Sequence, residues 1–190
     1  MTADAAASAD PFAAFDLAAL VEGGARLRPE EPCLIEDGDV WSARRVAETA
    51  GAMAAAFAGL GLRPADRIVL APGEDARGLV TLYGALRAGL DVALATLDLD
   101  ADALSAYAGA LGAQAVLAPA RFGDLELAER LFETAARAPS VRVVGVIGPD
   151  PLDGAVDLDP QKLPLAPPPA RDGAAGRLIV RERRGGAPRP

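Results

Sequence analysis

The sequence of 190 residues contains no histidine and a single lysine, Lys162. Histidine is the usual general base near neutral pH and the commonest side-chain metal ligand. Its absence excludes Ser-His-Asp and Cys-His catalytic arrangements and metal sites held by histidine. Lys162 lies in a Pro- and Gly-rich stretch and matches no catalytic motif, so it is not a candidate catalytic residue.

Cysteine and aromatic residues are also scarce. Cys33 is the only cysteine, and aromatic residues make up 4% of the chain. One cysteine cannot form an internal disulfide, and this usage predicts a reducing, cytoplasmic location. The neighbouring residues, EPCLIED, predict a short strand, which favours a buried structural cysteine over a nucleophile.

Basic residues are outnumbered by acidic ones, 19 to 27, and the net charge is −8. Apart from the last stretch, the arginines are scattered among the acids, which argues against a nucleic-acid or anionic-membrane surface. The first residues lack the positive region of a signal peptide, and no apolar run is long enough to cross a bilayer. We therefore expect neither a nucleic-acid partner nor a membrane span.

Hydrophobic periodicity predicts helices that alternate with short apolar strands. Asp10-Pro11 can cap a helix over residues 12–27, and Asp37-Gly38-Asp39 is typical of a hairpin turn between CLIE and VWS. Ser42 can cap the next helix, which Gly61 would end, and Asp100 can cap a later one. A further helix is predicted for EDARGLVTLYGALRAG and another for FGDLELAERLFETAARA. The intervening strands are predicted to be DRIVLA, VALAT, AQAVLA and VRVVGVIG.

This alternation is typical of βαβ units, and it predicts an α/β fold in which a mostly parallel sheet has helices on both faces. A small N-terminal β-hairpin precedes the sheet. We expect a disordered N-terminus at residues 1–10, the α/β domain at 11–148, and a Pro/Gly-rich linker at 149–176. Residues 177–190 would form one more strand and a glycine-containing loop.

Few residues in the α/β region are candidates for chemistry. Neither G-x-G-x-x-G nor G-x-x-x-x-G-K-[ST] occurs. The alternating Asp98, Asp100 and Asp102 resemble metal ligands, but helix capping explains them better. Glu126 and Glu129, with Arg130, are predicted to form a solvated helix face rather than an acid/base pair. Tyr83 and Tyr107 are predicted to be packing residues with a hydrated hydroxyl.

The stretch from VWSARRVAETAGAMAAAFAGLGLRPADRIVL to LVTLYGALRAGLDVAL resembles the N-terminal region of the adenylate-forming ligases. This family includes acyl-CoA synthetases, aryl-CoA ligases and the adenylation domains of nonribosomal synthetases. The matching positions are Gly61-Leu62, Pro64, Asp66-Arg67-Ile68, Gly84-Ala85 and Arg87-Ala88-Gly89, and the likeness spans roughly residues 12–147. Two departures are Ala65, where the family usually has glycine, and Leu94, near a customary proline.

The resemblance implies that the last residues, IVRERRGGAPRP, correspond to a strand and a phosphate-binding loop. In the family, a strand after a long connector leads into a phosphate loop, T-S-G-T-T-G-x-P-K-G, that holds ATP. Gly186, Ala187, Pro188 and Arg189 match G-x-P-K, whereas Arg181 to Gly185 replace the hydroxyl residues and the internal glycine. The resemblance thus makes Gly185, Gly186 and Arg189 remnants of a phosphate site, without the backbone cradle that phosphate binding requires.

The resemblance implies a reaction of a carboxylate with ATP to give an acyl-adenylate, followed by transfer to a thiol. ATP, Mg and CoA, or a carrier-protein thiol, are implied for a full-length relative, and none is expected for this chain alone because the later motifs are missing from it. Three alternatives remain open: a truncated and inactive part of a ligase, a stand-alone non-catalytic interaction module, and a small unrelated nucleotide-binding protein. For the first, an exposed sheet edge would favour self-association or binding to the remainder of a ligase.

Overall fold

A computed structural model describes residues 16–36, 38–165 and 176–179 of the chain. The helices in these ranges are α1 (Leu17–Leu27), α2 (Ala43–Gly59), α3 (Ala76–Arg87), α4 (Ala101–Leu111) and α5 (Ala128–Arg137). The first strands are β1 (Pro32–Glu36), β2 (Asp39–Ser42), β3 (Arg67–Leu70), β4 (Asp91–Leu94) and β5 (Ala115–Ala118). The later strands are β6 (Arg121–Phe122), β7 (Leu125–Glu126), β8 (Val143–Val146), β9 (Val156–Asp157) and β10 (Leu178–Ile179). No helix in the described ranges combines the length and apolar character that crossing a membrane requires.

Six of these strands form one parallel sheet in the order β10-β4-β3-β5-β8-β9. Alternate residues of β3 point to opposite faces. Ile68 and Leu70 pack against α1, α2 and α3, whereas Val69 packs against α4 and α5. Helices therefore cover both faces of the sheet, and β1 and β2 form a separate antiparallel hairpin, which confirms the predicted fold class.

Polar side chains cap α1 to α4, and the predicted caps Ser42 and Asp100 are confirmed; Asp75 was not predicted, and α5 has no side-chain cap. The side chains of Ser42, Asp75 and Asp100 accept hydrogen bonds from backbone N–H groups in the first turns of α2, α3 and α4. The first helix, in contrast, begins at Leu17, because Asp16 has extended backbone angles and caps it. The predicted start at residue 12 is therefore wrong, and Asp10-Pro11 and residues 1–10 lie outside the described ranges.

The glycine of the family-like Gly84-Ala85 pair has a packing role. A Cβ at Gly84 would lie 2.6 Å from the Cβ of Met53, so α3 approaches α2 more closely than any other residue would allow. At the ends of the helices, Gly61 and Gly89 have positive φ angles of 75° and 78°. These are the conformations expected for glycine just after a helix.

The segment from residue 122 to 138 differs from the predicted single helix. Its first part forms the hairpin β6–β7, in which Gly123 has a φ of 55°, and the helix begins only at Ala128. Glu126 lies in β7 and pairs with Arg121 at 2.6 Å. Arg130 is half-buried and donates to the carbonyls of Leu97 and Leu99, so Glu126 and Arg130 do not share a solvated helix face.

Two further expectations change at residue level. Cys33 is exposed on β1 rather than buried, because the hairpin packs its other side, with Leu34 and Trp41, against the helices. Within residues 149–176, expected to be an extended linker, β9 pairs with β8, and Leu158 and Asp159 are buried. The sheet thus gains a strand from a stretch with no apolar periodicity.

Candidate functional site

The carboxyl ends of the parallel strands define the candidate site. Ligands of open α/β sheets bind in the crevice outside these ends. In the pairing of β10 with β4, Leu178 lies opposite Val92 and Ile179 opposite Ala93. β10 therefore ends at the carboxyl edge of the sheet, beside the loop that follows β4. The proposed remnant residues Gly185, Gly186 and Arg189 follow from there but lie outside the described ranges.

A polar contact at the start of β4 holds the incoming strand. Arg177 donates from Nε to Asp91 Oδ1 at 3.1 Å, from Nη2 to Oδ2 at 2.7 Å and from its backbone nitrogen to Oδ1 at 3.2 Å. The Asp91 side chain is buried, whereas the Arg177 side chain is mostly exposed. The hydrogen bonds from Arg177 lower the pKa of Asp91, although burial alone would raise it, and nearby Arg67 lowers it further.

Gly176, the residue before Arg177, packs so closely against the backbone of Leu90 that a side chain would not fit. A Cβ at Gly176 would lie 1.8 Å from the carbonyl oxygen of Leu90. The Gly176 N–H donates to Leu86 O at 2.8 Å, and Val92 N–H donates to Arg177 O at 2.7 Å. Backbone contact and a charged hydrogen-bond pair thus fix the register in which β10 meets β4.

The N-termini of α3 and α4 at this edge are occupied by carboxylates of the chain, whereas α5 has no side-chain cap. Ala76 N–H donates to Glu36 Oε2 of the hairpin at 3.2 Å, and Gly78 N–H donates to Asp75 Oδ1 at 2.8 Å. In α4, Ala103 N–H donates to Asp100 Oδ1 at 2.8 Å. Free N–H groups at such termini are what bind phosphate. A phosphate at the N-terminus of α3 or α4 would therefore have to displace one of these carboxylates.

The other residues considered from the sequence have structural roles in the described ranges. Asp102 pairs with Arg137 at 2.7 Å, and no group of three potential metal-ligating side chains forms among the described residues. Tyr107 donates from its hydroxyl to Leu94 O at 3.4 Å. Tyr83 is half-buried, and its pKa is raised by that burial and by the nearby Cys33.

Lys162 belongs to a second polar cluster, at the end of β9. Its Nζ lies 3.0 Å from Asp157 Oδ2 and 3.7 Å from Asp159 Oδ2, while Arg77 Nε donates to the buried Asp159 at 3.2 Å. The hydrogen bond to Asp157 raises the pKa of Lys162. A catalytic lysine that acts as a base needs the opposite shift. The cluster fastens the chain after β9 to the first turn of α3.

Comparison with known families identifies the chain at this point. The family described as AMP-binding enzyme matches residues 21–176, which include most of α1, all of α2 to α5 and all strands but β10. The chain belongs to the AMP-binding enzyme family. Comparison with curated protein sequences gives no match.

Solved structures of AMP-binding ligases share the fold. The benzoate CoA ligase from Burkholderia xenovorans LB400 is 22% identical, with a TM-score of 0.67 over 84% of this chain and 31% of that one. MbtA of Mycobacterium smegmatis is 25% identical, with a TM-score of 0.68 over 81% of this chain and 29% of that one. The anthranilate CoA ligase AuaEII, solved with anthranoyl-AMP, is 17% identical, with a TM-score of 0.69 over 83% and 30%. The chain therefore spans about a third or less of the length of these AMP-binding relatives.

Sequence reasoning missed the residues that hold β10. One signal in the sequence could have indicated Asp91: it stands between two apolar runs, in AGLDVAL, where a side chain is expected to be buried. A buried carboxylate requires a hydrogen-bonding partner. Arg177, in the strand-like GRLIV, was the matching cation. Their separation of 86 residues hides this pairing from any local pattern in an AMP-binding chain.

Proposed function

We propose that the chain provides the N-terminal part of the scaffold of an AMP-forming acid–thiol ligase. In such a ligase a carboxylate and ATP give an acyl-adenylate and pyrophosphate, and the acyl group then passes to CoA or to a carrier-protein thiol. One observation carries the proposal: β10 ends at the carboxyl edge of a sheet that matches the AMP-binding family. That is where a phosphate loop following this strand would begin. ATP, Mg and the thiol belong to the longer protein, and a cytoplasmic location is part of the proposal.

We also propose that these 190 residues alone are inactive. Arg181, Arg183 and Arg184 can attract phosphate by charge, but bulky side chains replace the hydroxyls and the internal glycine that let a loop close on it. The chain also covers about 30% of the relatives' length, so the groups that hold adenine, ribose and the acyl chain would come from elsewhere.

Pyrophosphate exchange tests this second proposal. The purified chain, ATP, Mg²⁺ and a panel of aryl and alkyl carboxylic acids should give exchange at background level. A variant with the family's loop restored should behave in the same way, because the missing groups lie outside the loop. It carries the substitutions R181T, E182S, R183G, R184T and G185T. Exchange clearly above background in the unaltered chain would refute the proposal, and exchange only in the restored variant would locate the defect in the loop.

A second candidate is a stand-alone, non-catalytic interaction module built on the same scaffold. The favouring observation is an outward cross-strand pair on the hairpin, Ile35 and Val40, with 71% and 50% of their surfaces exposed. Large contiguous apolar patches mark protein-binding surfaces, and this pair would be the centre of such a patch. A monomer with one cooperative melting transition would favour the module, and polydisperse association would favour a ligase part.

Sedimentation velocity distinguishes the two, with variants that locate any association. If the hairpin mediates it, Ile35→Lys should shift the protein towards monomer. The control is Leu27→Lys on α1. Leu27 is also an exposed aliphatic residue, with 83% of its surface accessible, but it lies outside the hairpin. Equal effects of both variants would exclude a specific hairpin interface.

A further inference from the structure

Asp91 is a buried carboxylate whose described hydrogen bonds all come from Arg177. A buried carboxylate is costly unless it is paired and hydrogen-bonded. Both of its oxygens accept from the guanidinium, at 3.1 and 2.7 Å, and the backbone nitrogen of Arg177 adds a third bond. A bidentate pair of this kind also fixes direction, because the guanidinium fork is planar. Asp91 thus recognises both the side chain and the backbone at the entry of β10.

The remaining attachment of β10 in the described residues is slight. Its pairing with β4 has two residue pairs, whereas the pairing of β3 with β4 has four. Leu178 keeps 42% of its surface exposed, so little apolar burial holds the strand. Elements with few buried contacts open locally at a small fraction of the free energy needed for global unfolding. Ile179 is partly buried against the α4–α5 side of the core, and the polar contact at Asp91 adds to this limited packing.

We propose that the Asp91–Arg177 pair is a latch that holds β10 on β4 independently of the rest of the sheet. Asp91 is in this sense a positioning residue: the closed latch sets the place on the carboxyl edge from which the following loop starts. When the latch opens, β10 leaves and β4 keeps its pairing with β3 on the other side. The interpretation of the residues after β10 as a phosphate loop rests on the proposed ligase scaffold. The latch itself is inferred only from the described contacts.

Amide hydrogen exchange of the full 190-residue chain, followed by NMR, tests the latch without any nucleotide. The diagnostic amides are those of Val92, which donates to Arg177 O, and Gly176, which donates to Leu86 O. In Asp91→Asn we expect both to exchange roughly ten- to a hundredfold faster, since a hydrogen bond to a charged group is lost. The amides of Val116 and Leu117 in the central β5 should stay within twofold of the wild type.

Asp66→Asn is the matched control. Asp66 precedes the neighbouring β3 and pairs with Arg142 at 3.0 Å, so the chemical change is the same one strand away. It should leave the Val92 and Gly176 amides unchanged. A change there as large as in Asp91→Asn would overturn the proposal.

Arg177→Gln tests the latch from its exposed side, where the substitution removes no buried side chain. The Arg177 side chain is 76% exposed, so this variant should fold even if Asp91→Asn does not. It should reproduce the local acceleration at Val92 and Gly176. Exchange within twofold of wild type, or equal acceleration through β5, would refute an independent latch. Because no ligand is involved, this outcome is separable from failure of the ligase proposal.

Discussion

Ala65 has a positive φ of 68° in the turn before β3. A side chain in this left-handed region costs about 1–2 kcal/mol, because its Cβ crowds the backbone. The residue is exposed, and its N–H donates to Gly89 O at 2.8 Å, so the turn holds it there. The resemblance to the ligases places glycine at this position. Here alanine adopts the conformation that glycine would adopt without strain.

Ala65→Gly should therefore stabilise the protein by about 0.5–1 kcal/mol, after part of the relieved strain is offset by the greater unfolded-state entropy of glycine. Urea denaturation followed by circular dichroism measures the change. The control is Ala110→Gly, at an exposed position within α4. That substitution should lower the free energy of unfolding by about 0.5–1 kcal/mol. Destabilisation by both variants would mean that the turn is not strained.

Individual residues were predictable from the sequence where chemistry and spacing act locally. Ser42 and Asp100 are caps because a short polar side chain precedes an apolar repeat by one residue. Cys33 was misplaced because alternation shows that one side of a strand is buried but not which residue a bulge moves outward, and β1 has an irregularity between Pro32 and Leu34. Gly185, Gly186 and Arg189 stay predictions from a motif.

At the scale of elements, the attachment of β10 should be sensitive to acid. The pKa of Asp91 is lowered, chiefly by the Arg177 hydrogen bonds, against the opposing effect of burial. A folded-state pKa below the unfolded value means that the stabilisation is complete above the unfolded pKa, about 4, and is lost as the pH falls through the folded value. The attachment of β10 should thus be constant near neutral pH and weaken only in acid.

Carbon-13 NMR titration of the Asp91 carboxyl measures this effect. The midpoint should lie below the ordinary aspartate value in the wild type. In Arg177→Gln it should rise, because burial then acts without the compensating hydrogen bonds. The carboxyl of Asp157, which pairs with Lys162, serves as the internal reference and should keep its midpoint. An unchanged Asp91 midpoint would contradict the assigned cause.

Elements with a strong period were predicted well, and those defined by few residues were not. The helices α2, α3 and α4 follow repeats that bury one face. The hairpin β6–β7 was read as helix because LELAERL also carries a helical repeat, whereas Gly123 and the bond from Leu127 N to Ala120 O turn the chain first. The strand β9 has two residues and no periodic signal, so only its pairing with β8 defines it.

For the whole molecule, the sequence is sufficient for the layers but not for the order of the strands. Alternating helices and apolar strands require a parallel sheet covered on both faces, and right-handed crossovers restrict how it is wound. Which strand lies at each edge depends on contacts between distant residues. The connector begins on β9 at one edge, fastened through Asp159 to Arg77, and returns at Arg177 on the opposite edge. Contacts between residues so far apart in the sequence produce no local sequence pattern from which they could be predicted.

The position of β10 has a consequence for biosynthesis. Arg177 follows Asp91 by 86 residues, so at roughly 5–20 residues per second about 4–17 s pass on the ribosome before the arginine is made. During that interval β4 has only β3 as a neighbour, and the carboxylate of Asp91 at its outer edge has no cation from β10. Until β10 docks, this edge presents unpaired backbone N–H and C=O groups, which is the kind of surface that pairs with other chains.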